Sequence, residues 1–304
     1  MAYPDANIYG QERLYICMQN DTGYFDDISK AIGVYDFKEA HSMEPVDFDL
    51  DGDQDLFFSH QVRDTVKING KDTILVYMRI SLLRNDIGNK RTWTSTKLTA
   101  SKGTNQSSLG ARIKVFSRHK TQMQEIQAGL GHCTNQQSFI RNFGLGDDNY
   151  IDSIVVRFPN KNLNTKTIVN PPTNLLLDIN ESGDFDYIKT WEGDKPVIAF
   201  NLPKLDFDTV DVNSYKSKTL KIKNIGNADL VINSIDLVGQ DKNFFGLITP
   251  GLPVNILPGK DISISVRFTP NIRRHFDAFL NIVSNAVNKA NRNYDVFGFG
   301  FEQK

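Results

Sequence analysis

The chain has 304 residues, which at about 150 residues per domain implies two or three domains. Thirty-five Lys and Arg against 36 Asp and Glu leave a net charge of −1, so no basic surplus supports nucleic-acid binding. Hydrophobic residues at 39% and charged residues at 23% exclude a disordered chain. No apolar run reaches the roughly 18 residues of a membrane-spanning helix.

Residues 1–10 (MAYPDANIYG) lack the basic start and apolar stretch of a secretory signal peptide. Leu14, Tyr15, Ile16 and Met18 read as a strand that begins almost at once, and residues 20–23 (NDTG) as a polar turn. This abrupt start reads as part of something longer. Residues 25–33 (FDDISKAIG) have room for two helical turns at most. The two cysteines, Cys17 and Cys133, are too few for a disulfide-framed scaffold, and whether they pair is left open.

Strand signals dominate the rest of the chain. Residues 153–158 (SIVVRF), 219–223 (TLKIK), 230–235 (LVINSI), 262–268 (ISISVRF) and 279–283 (FLNIV) are short, β-branched or aromatic, and mostly alternating. Gly226-Asn227, Pro250-Gly251, Pro258-Gly259 and Thr269-Pro270 punctuate them. The expected fold class is therefore mainly β. Composition divides the chain into an aspartate-rich segment (1–64), a middle block (65–180), a polar linker (181–196) and a carboxy-terminal part (197–304). Strands every ten to twelve residues in that last part suit a β-sandwich of about 100 residues.

The sharpest chemical signal is Asp47-Phe-Asp49-Leu-Asp51-Gly52-Asp53-Gln-Asp55, followed by the strand Leu56-Phe57-Phe58. Five aspartates in nine residues repel one another unless a cation sits among them. Alternation throws Asp47, Asp49 and Asp51 to one side. Gly52 permits a reversal, Asp53 offers its backbone carbonyl, and Asp55 stands at position 9. Such a set of hard oxygen donors suits Ca²⁺ better than Mg²⁺, which resists all-protein cages. An EF-hand is excluded: position 12 is Phe58, and a strand follows where a helix belongs. The bland reading is an acidic turn before an edge strand.

The DxDxDGxxD spacing before a strand resembles the FG-GAP or VCBS-type repeat, a β-propeller blade motif. Arg13-Leu14-Tyr15, residues 20–28 and Ala31-Ile32-Gly33-Val34 resemble its lead-in. The resemblance implies a calcium loop on a partial blade, although a propeller needs at least four blades. Residues 110–115 (GARIKV), Gln124-Glu125-Ile126, Gly129-Leu130-Gly131, residues 142–147 (NFGLGD) and residues 152–160 (DSIVVRFPN) stand in the order of the ASPIC/UnbV module. Phe158 stands where that family more often has tryptophan. A small β domain is implied, with Gly110 and Gly144 at turns and Ile113, Val115, Ile154 and Val156 on one buried face.

The carboxy-terminal part resembles the ASH or choice-of-anchor-D type of immunoglobulin-like domain. The resemblance rests on residues 207–210 (FDTV), residues 220–230, Phe244, Leu257-Pro258-Gly259, residues 266–270 (VRFTP) and residues 282–285 (IVSN), with residues 297–301 (FGFGF) as the last strand. Ile262, Ile264, Val266 and Phe268 are expected inside, and Ser263, Ser265 and Arg267 outside. Asp206-Phe-Asp208 mimics the metal motif but lacks the following glycine, and reads as a strand start.

No catalytic constellation is visible. His132 and Cys133 are neighbours that a strand would turn to opposite faces, and none of the five histidines stands in HExxH. His41 and His60 flank the aspartate loop, either as supporting groups or as surface residues. Arg112, Arg141 and Arg157 read as solvated strand-face charges, with an anionic partner as the alternative. The expectation is a non-catalytic, calcium-stabilised extracellular or cell-surface structural or adhesion protein. Its partners would be protein or glycan, and incomplete blades would favour a homo-oligomer or filament. The alternative is a substrate-binding accessory part of a secreted enzyme.

Overall fold

A computed structural model describes residues 15–20, 22–34, 40–86, 88–100, 103–129, 136–190 and 193–302, with the backbone alone at 40–42 and 89. Strands account for 55% of the structure and helix for 2%. Among the described residues no helix is long and apolar enough to cross a membrane. The chain forms two compact units. One comprises Met1–Phe48, Asp53–Ile87 and Gln127–Ser138, and the other Asp49–Gly52, Gly88–Ile126 and Phe139–Lys304.

In the first unit, β1 (Cys17–Gln19) and β2 (Phe25–Asp27) form an antiparallel hairpin. Asn20 Oδ1 closes its turn by accepting the Thr22 and Tyr24 N–H groups, both at 3.1 Å. Of the two helical turns for which residues 25–33 have room, Phe25–Asp27 form a strand instead and a single hydrogen-bonded turn follows. Asp27 Oδ1 accepts the Ser29 N–H at 2.9 Å and Ser29 Oγ accepts the Ile16 N–H at 2.7 Å, and only one α-helical backbone bond follows, from the Ile32 N–H to the Ile28 carbonyl at 3.1 Å. Cys17 is a free, exposed thiol, and Cys133 lies outside the described residues, as does His132.

β3 (Ala40–Val46), β4 (Asp55–Ile68) and β5 (Lys71–Leu83) form an antiparallel sheet in that order. Asn69 and Gly70, both with positive φ, turn β4 into β5, as a two-residue hairpin of this twist requires. β4 runs unbroken through residue 64, so the expected boundary there falls inside a hairpin paired from Leu56↔Leu83 to Ile68↔Lys71. Leu56, Phe58 and Leu83 share one face and pack with Ile16 and Val34 in a small core. The opposite face of β5 carries Ile74, Val76, Met78, Ile80 and Leu82, which are 65, 54, 52, 67 and 42% exposed.

The second unit begins with a domain of two four-stranded sheets. Its strands are β6 (Thr92–Thr99), β7 (Arg112–Ser117), β8 (Thr121–Glu125), β9 (Arg141–Gly146), β10 (Ile151–Arg157), β11 (Thr165–Val169), β12 (Leu176–Asn180) and β13 (Phe185–Ile188). They pair as β11-β10-β7-β8 and β13-β12-β6-β9. Ile113, Val115, Ile154 and Val156 are buried, as their alternation implied, together with Phe143, Leu145 and Phe158. Gly144 lies within β9 and not at a turn; Gly146, at φ +65, makes the turn. β13 lies in the stretch expected as a linker. Tyr187 packs on the core from it and donates to the Ile225 carbonyl at 2.9 Å.

The carboxy-terminal domain of this unit is a β-sandwich of β14 (Ile198–Phe200), β15 (Leu205–Asp211), β16 (Lys216–Asn224), β17 (Leu230–Val238), β18 (Phe245–Ile248), β19 (Val254–Ile256), β20 (Asp261–Phe268), β21 (His275–Ser284) and β22 (Asn291–Phe301). The sheets run β14-β16-β20-β18 and β15-β22-β21-β17-β19. Ile264, Val266 and Phe268 of β20 are buried in the space between them, with Ile262 packed at its margin. Phe268 contacts the rings of Phe207, Phe245 and Phe276 at centroid distances of 5.7, 4.8 and 5.4 Å. A methyl group on Gly298 would lie 2.6 Å from the Phe268 ring, which explains a glycine in mid-strand. Asp206 and Asp208 open β15 at a bulge, as expected of a strand start. Asp208 turns to Lys216 and Lys218 at 3.2 and 3.6 Å.

Val197 and Ile225 continue the core of the preceding domain. Asn288 Nδ2 donates to the Thr173 carbonyl at 3.3 Å, and Arg118 pairs with Asp295 at 2.8 Å. The two domains of the second unit therefore share a packed, polar-laced seam.

Candidate metal centre

The pair Val46↔Asp55 ends the β3–β4 ladder and draws the two ends of the aspartate loop together. Leu50 and Gly52 adopt positive φ inside the loop and curl it back. Asp47, Asp49 and Asp55 then each offer a carboxylate oxygen, all within 4.8 Å of one another. Asp55, almost fully buried, is braced twice. Its Oδ2 accepts the Phe48 N–H at 3.0 Å and its Oδ1 the Asn85 N–H at 2.8 Å.

The other two candidates take different places. Asp53 is buried, and neither its carboxylate nor that of Asp51 belongs to the converging group. Asp51 lines a pocket of about 170 Å³ with Lys90, Trp93, Asn174, Val287, Asn288 and Lys289. Gly52 lies against the Trp93 indole: a methyl group on it would sit 1.8 Å from Cε2. With φ at +101, no other residue suits this position.

The donors fit a hard divalent cation. Oxygens bound at 2.3–2.6 Å to one Ca²⁺ lie at most about 5 Å apart, and backbone carbonyls or water complete six to eight ligands. Nothing in the set favours zinc, which takes nitrogen and sulfur. Carboxylates held this close without a counter-ion repel one another, and hydrogen bonds and water only soften that repulsion.

Other residues singled out from sequence fall elsewhere. His60 is a buried residue whose Nε2 stands 3.0 Å from Ser81 Oγ across β4 and β5, so it is not a surface histidine. The side chain of His41 lies outside the described residues. Arg141, expected in solvent, is buried, and its Nε donates to the Glu125 carbonyl at 3.0 Å. Arg112 pairs with Glu125 at 2.6 Å on the surface, and Arg157 is half-buried.

Two features escaped the sequence reading. The exposed stripe of β5 was announced by alternation over residues 74–82. A group of cations at the seam of the second unit had no local signal, because its members are far apart in the chain.

Two family models match. The ASPIC and UnbV model covers residues 101–184, and the HYDIN/CFA65/VesB-like, Ig-like domain model covers residues 196–297. The ASPIC/UnbV match coincides with most of the two-sheet domain, and the Ig-like match with the sandwich. No curated protein matches the sequence. Among solved structures, the ASH/PapD-like domain of human CEP192 is 14% identical over 38% of this chain and 94% of its own, with a TM-score of 0.30. The Vibrio cholerae VesB protease is 10% identical over 66% of each chain, TM-score 0.27. The secreted serine protease VesC of the same organism is 9% identical over 99% of this chain and 71% of its own, TM-score 0.28. None of these likenesses is close enough to transfer an activity.

Proposed function

We propose that the protein is a non-catalytic structural or adhesion protein of the extracellular space or cell surface. In this reading an FG-GAP/VCBS-type loop binds calcium, and the ASPIC/UnbV-like and Ig-like domains make protein or glycan contacts. The observation that carries the proposal is the convergence of Asp47, Asp49 and Asp55. Millimolar calcium outside cells would fill an ordinary site of this kind, whereas cytosolic levels would leave it empty. Calorimetry and thermal melting with calcium chloride test the reading. Calcium is expected to release or absorb heat and to raise the melting temperature, stabilising by about 2.7 kcal/mol at 100 times Kd. Asp49→Asn should abolish both effects, and magnesium should not replace calcium. No heat and an unchanged melting temperature would overturn the proposal.

The same reading includes self-association, and β5 supplies the surface. Its apolar stripe amounts to something on the order of 500 Å² per copy, so two copies packed stripe to stripe bury about 1,000 Å², the lower bound for a specific interface. Ile74, Val76, Met78, Ile80 and Leu82 place no charge at the centre of such a contact. Gln61, Arg63 and Thr65 of β4, on the same face, form a polar rim. We propose a second copy of this chain as the occupant. Sedimentation should find a dimer at micromolar concentration; a monomer at those concentrations would overturn this part.

A further inference from the structure

We infer that the seam between the ASPIC/UnbV-like and Ig-like domains holds a binding site for an oxyanion, of the phosphate or sulfate ester class. A cleft of about 430 Å³ opens there, and Lys90, Arg91, Arg118, His119 and Lys289 contribute to its wall. Arg118 and His119 already have carboxylates: Asp295 at 2.8 Å and Asp148 at 2.6 Å. Lys90, Arg91 and Lys289 form no ion pair among the described residues. Asp147 is the acidic residue of the wall.

Lys289 is half-buried in the cleft wall. It leaves the loop between β21 and β22, and its Nζ donates to the Thr92 hydroxyl at 2.8 Å, a neutral partner. Behind it stands Arg292, 5% exposed. Arg292 Nη2 donates to the Asn149 carbonyl at 2.7 Å and its guanidinium lies 4.9 Å from the centre of the Phe200 ring, while its Nε has no hydrogen-bond partner among the described residues. Two cations drawn out of water beside one another, neither touching a carboxylate, are a costly arrangement. Burial, reinforced by repulsion from Arg292, lowers the Lys289 pKa to about 8. A dianion in the cleft offsets part of this cost by giving Lys289, which lines the cleft, a charged partner in the field of the buried Arg292, and the cleft has room for a phosphate or sulfate group with part of a sugar.

Structural roles and ligand roles predict opposite signs for one substitution. In Lys289→Met the uncompensated charge disappears while the stem is kept, so without anion the variant should melt at or above the wild-type temperature. The wild-type chain should gain several degrees on adding inorganic phosphate or sulfate, against sodium chloride of equal ionic strength, with a chelator present so that calcium plays no part. Lys289→Met should lose that gain. Arg91→Ser, at the exposed margin, should weaken the anion at least several-fold and leave the anion-free melting temperature unchanged. A phosphorylated sugar and a sulfated oligosaccharide then distinguish the two sources of the group. The inference is overturned if neither anion raises the melting temperature beyond the chloride control. It is also overturned if Lys289→Met lowers stability and keeps the anion response. Should that variant fail to fold, an undiminished response in Arg91→Ser overturns it.

Discussion

Strands β20 and β5 carry nearly the same pattern and meet opposite fates. Ile262, Ile264, Val266 and Phe268 alternate with polar residues, as Ile74, Val76, Met78, Ile80 and Leu82 alternate with residues of mixed character. β20 lies inside its sheet, between β16 and β18, with a second sheet over its apolar face. β5 is an edge strand, and its stripe is open. A period of two decides which side chains share a face. What covers that face is decided by other elements, in the same chain or in another.

The largest break in this comparison is expected at Phe268. Phe268→Ala removes a buried ring touched by three others and should cost about 3–5 kcal/mol, read by urea denaturation. A smaller effect separates buried from exposed carboxylates. Burial would raise the Asp148 pKa, but bonds from the Ser117 hydroxyl and from the His119 ring and N–H outweigh it and hold it below the ordinary value. Its folded pKa being depressed, Asp148 contributes stability above the unfolded pKa of about 3.9, and loses it as pH falls through the folded value. Asp148→Asn should cost about 1–3 kcal/mol at neutral pH and flatten the acid limb of a stability profile. Asp208 is also held low, first by its bond from Lys216, yet it is exposed and screened, so Asp208→Asn should barely move that profile. The smallest effect on folding is expected at Ile80, where Ile80→Lys should stay within about 0.5 kcal/mol while sedimentation shifts from dimer to monomer.

Much of the fold was legible because its signals are local. β10, β16, β17, β20 and β21 contain the alternating runs read from the sequence, each ended by a turn residue. Residues 25–33, read as two helical turns at most, keep one α-helical bond, from Ile32 to Ile28, because Phe25–Asp27 pair as a strand and Asp27 and Ser29 turn their side chains to the backbone. β13 went unnoticed since Phe185 and Tyr187 are embedded in acidic sequence. The aspartate loop was legible as a unit, but its division was not: the φ values of Leu50 and Gly52 separate Asp47, Asp49 and Asp55 from Asp51. The cationic cleft was invisible for a different reason. Thr92 and Lys289 lie 197 positions apart, and only the packing of two domains joins them.

The indole beneath Gly52 gives the protein an optical handle. The sequence has two tryptophans, Trp93 and Trp191, and the first lies directly under the tip of the aspartate loop. Any rearrangement of that tip changes the polarity around Trp93, so its fluorescence emission reports on the loop without an added dye. Replacing Trp191 with phenylalanine would leave that emission as a single-residue readout.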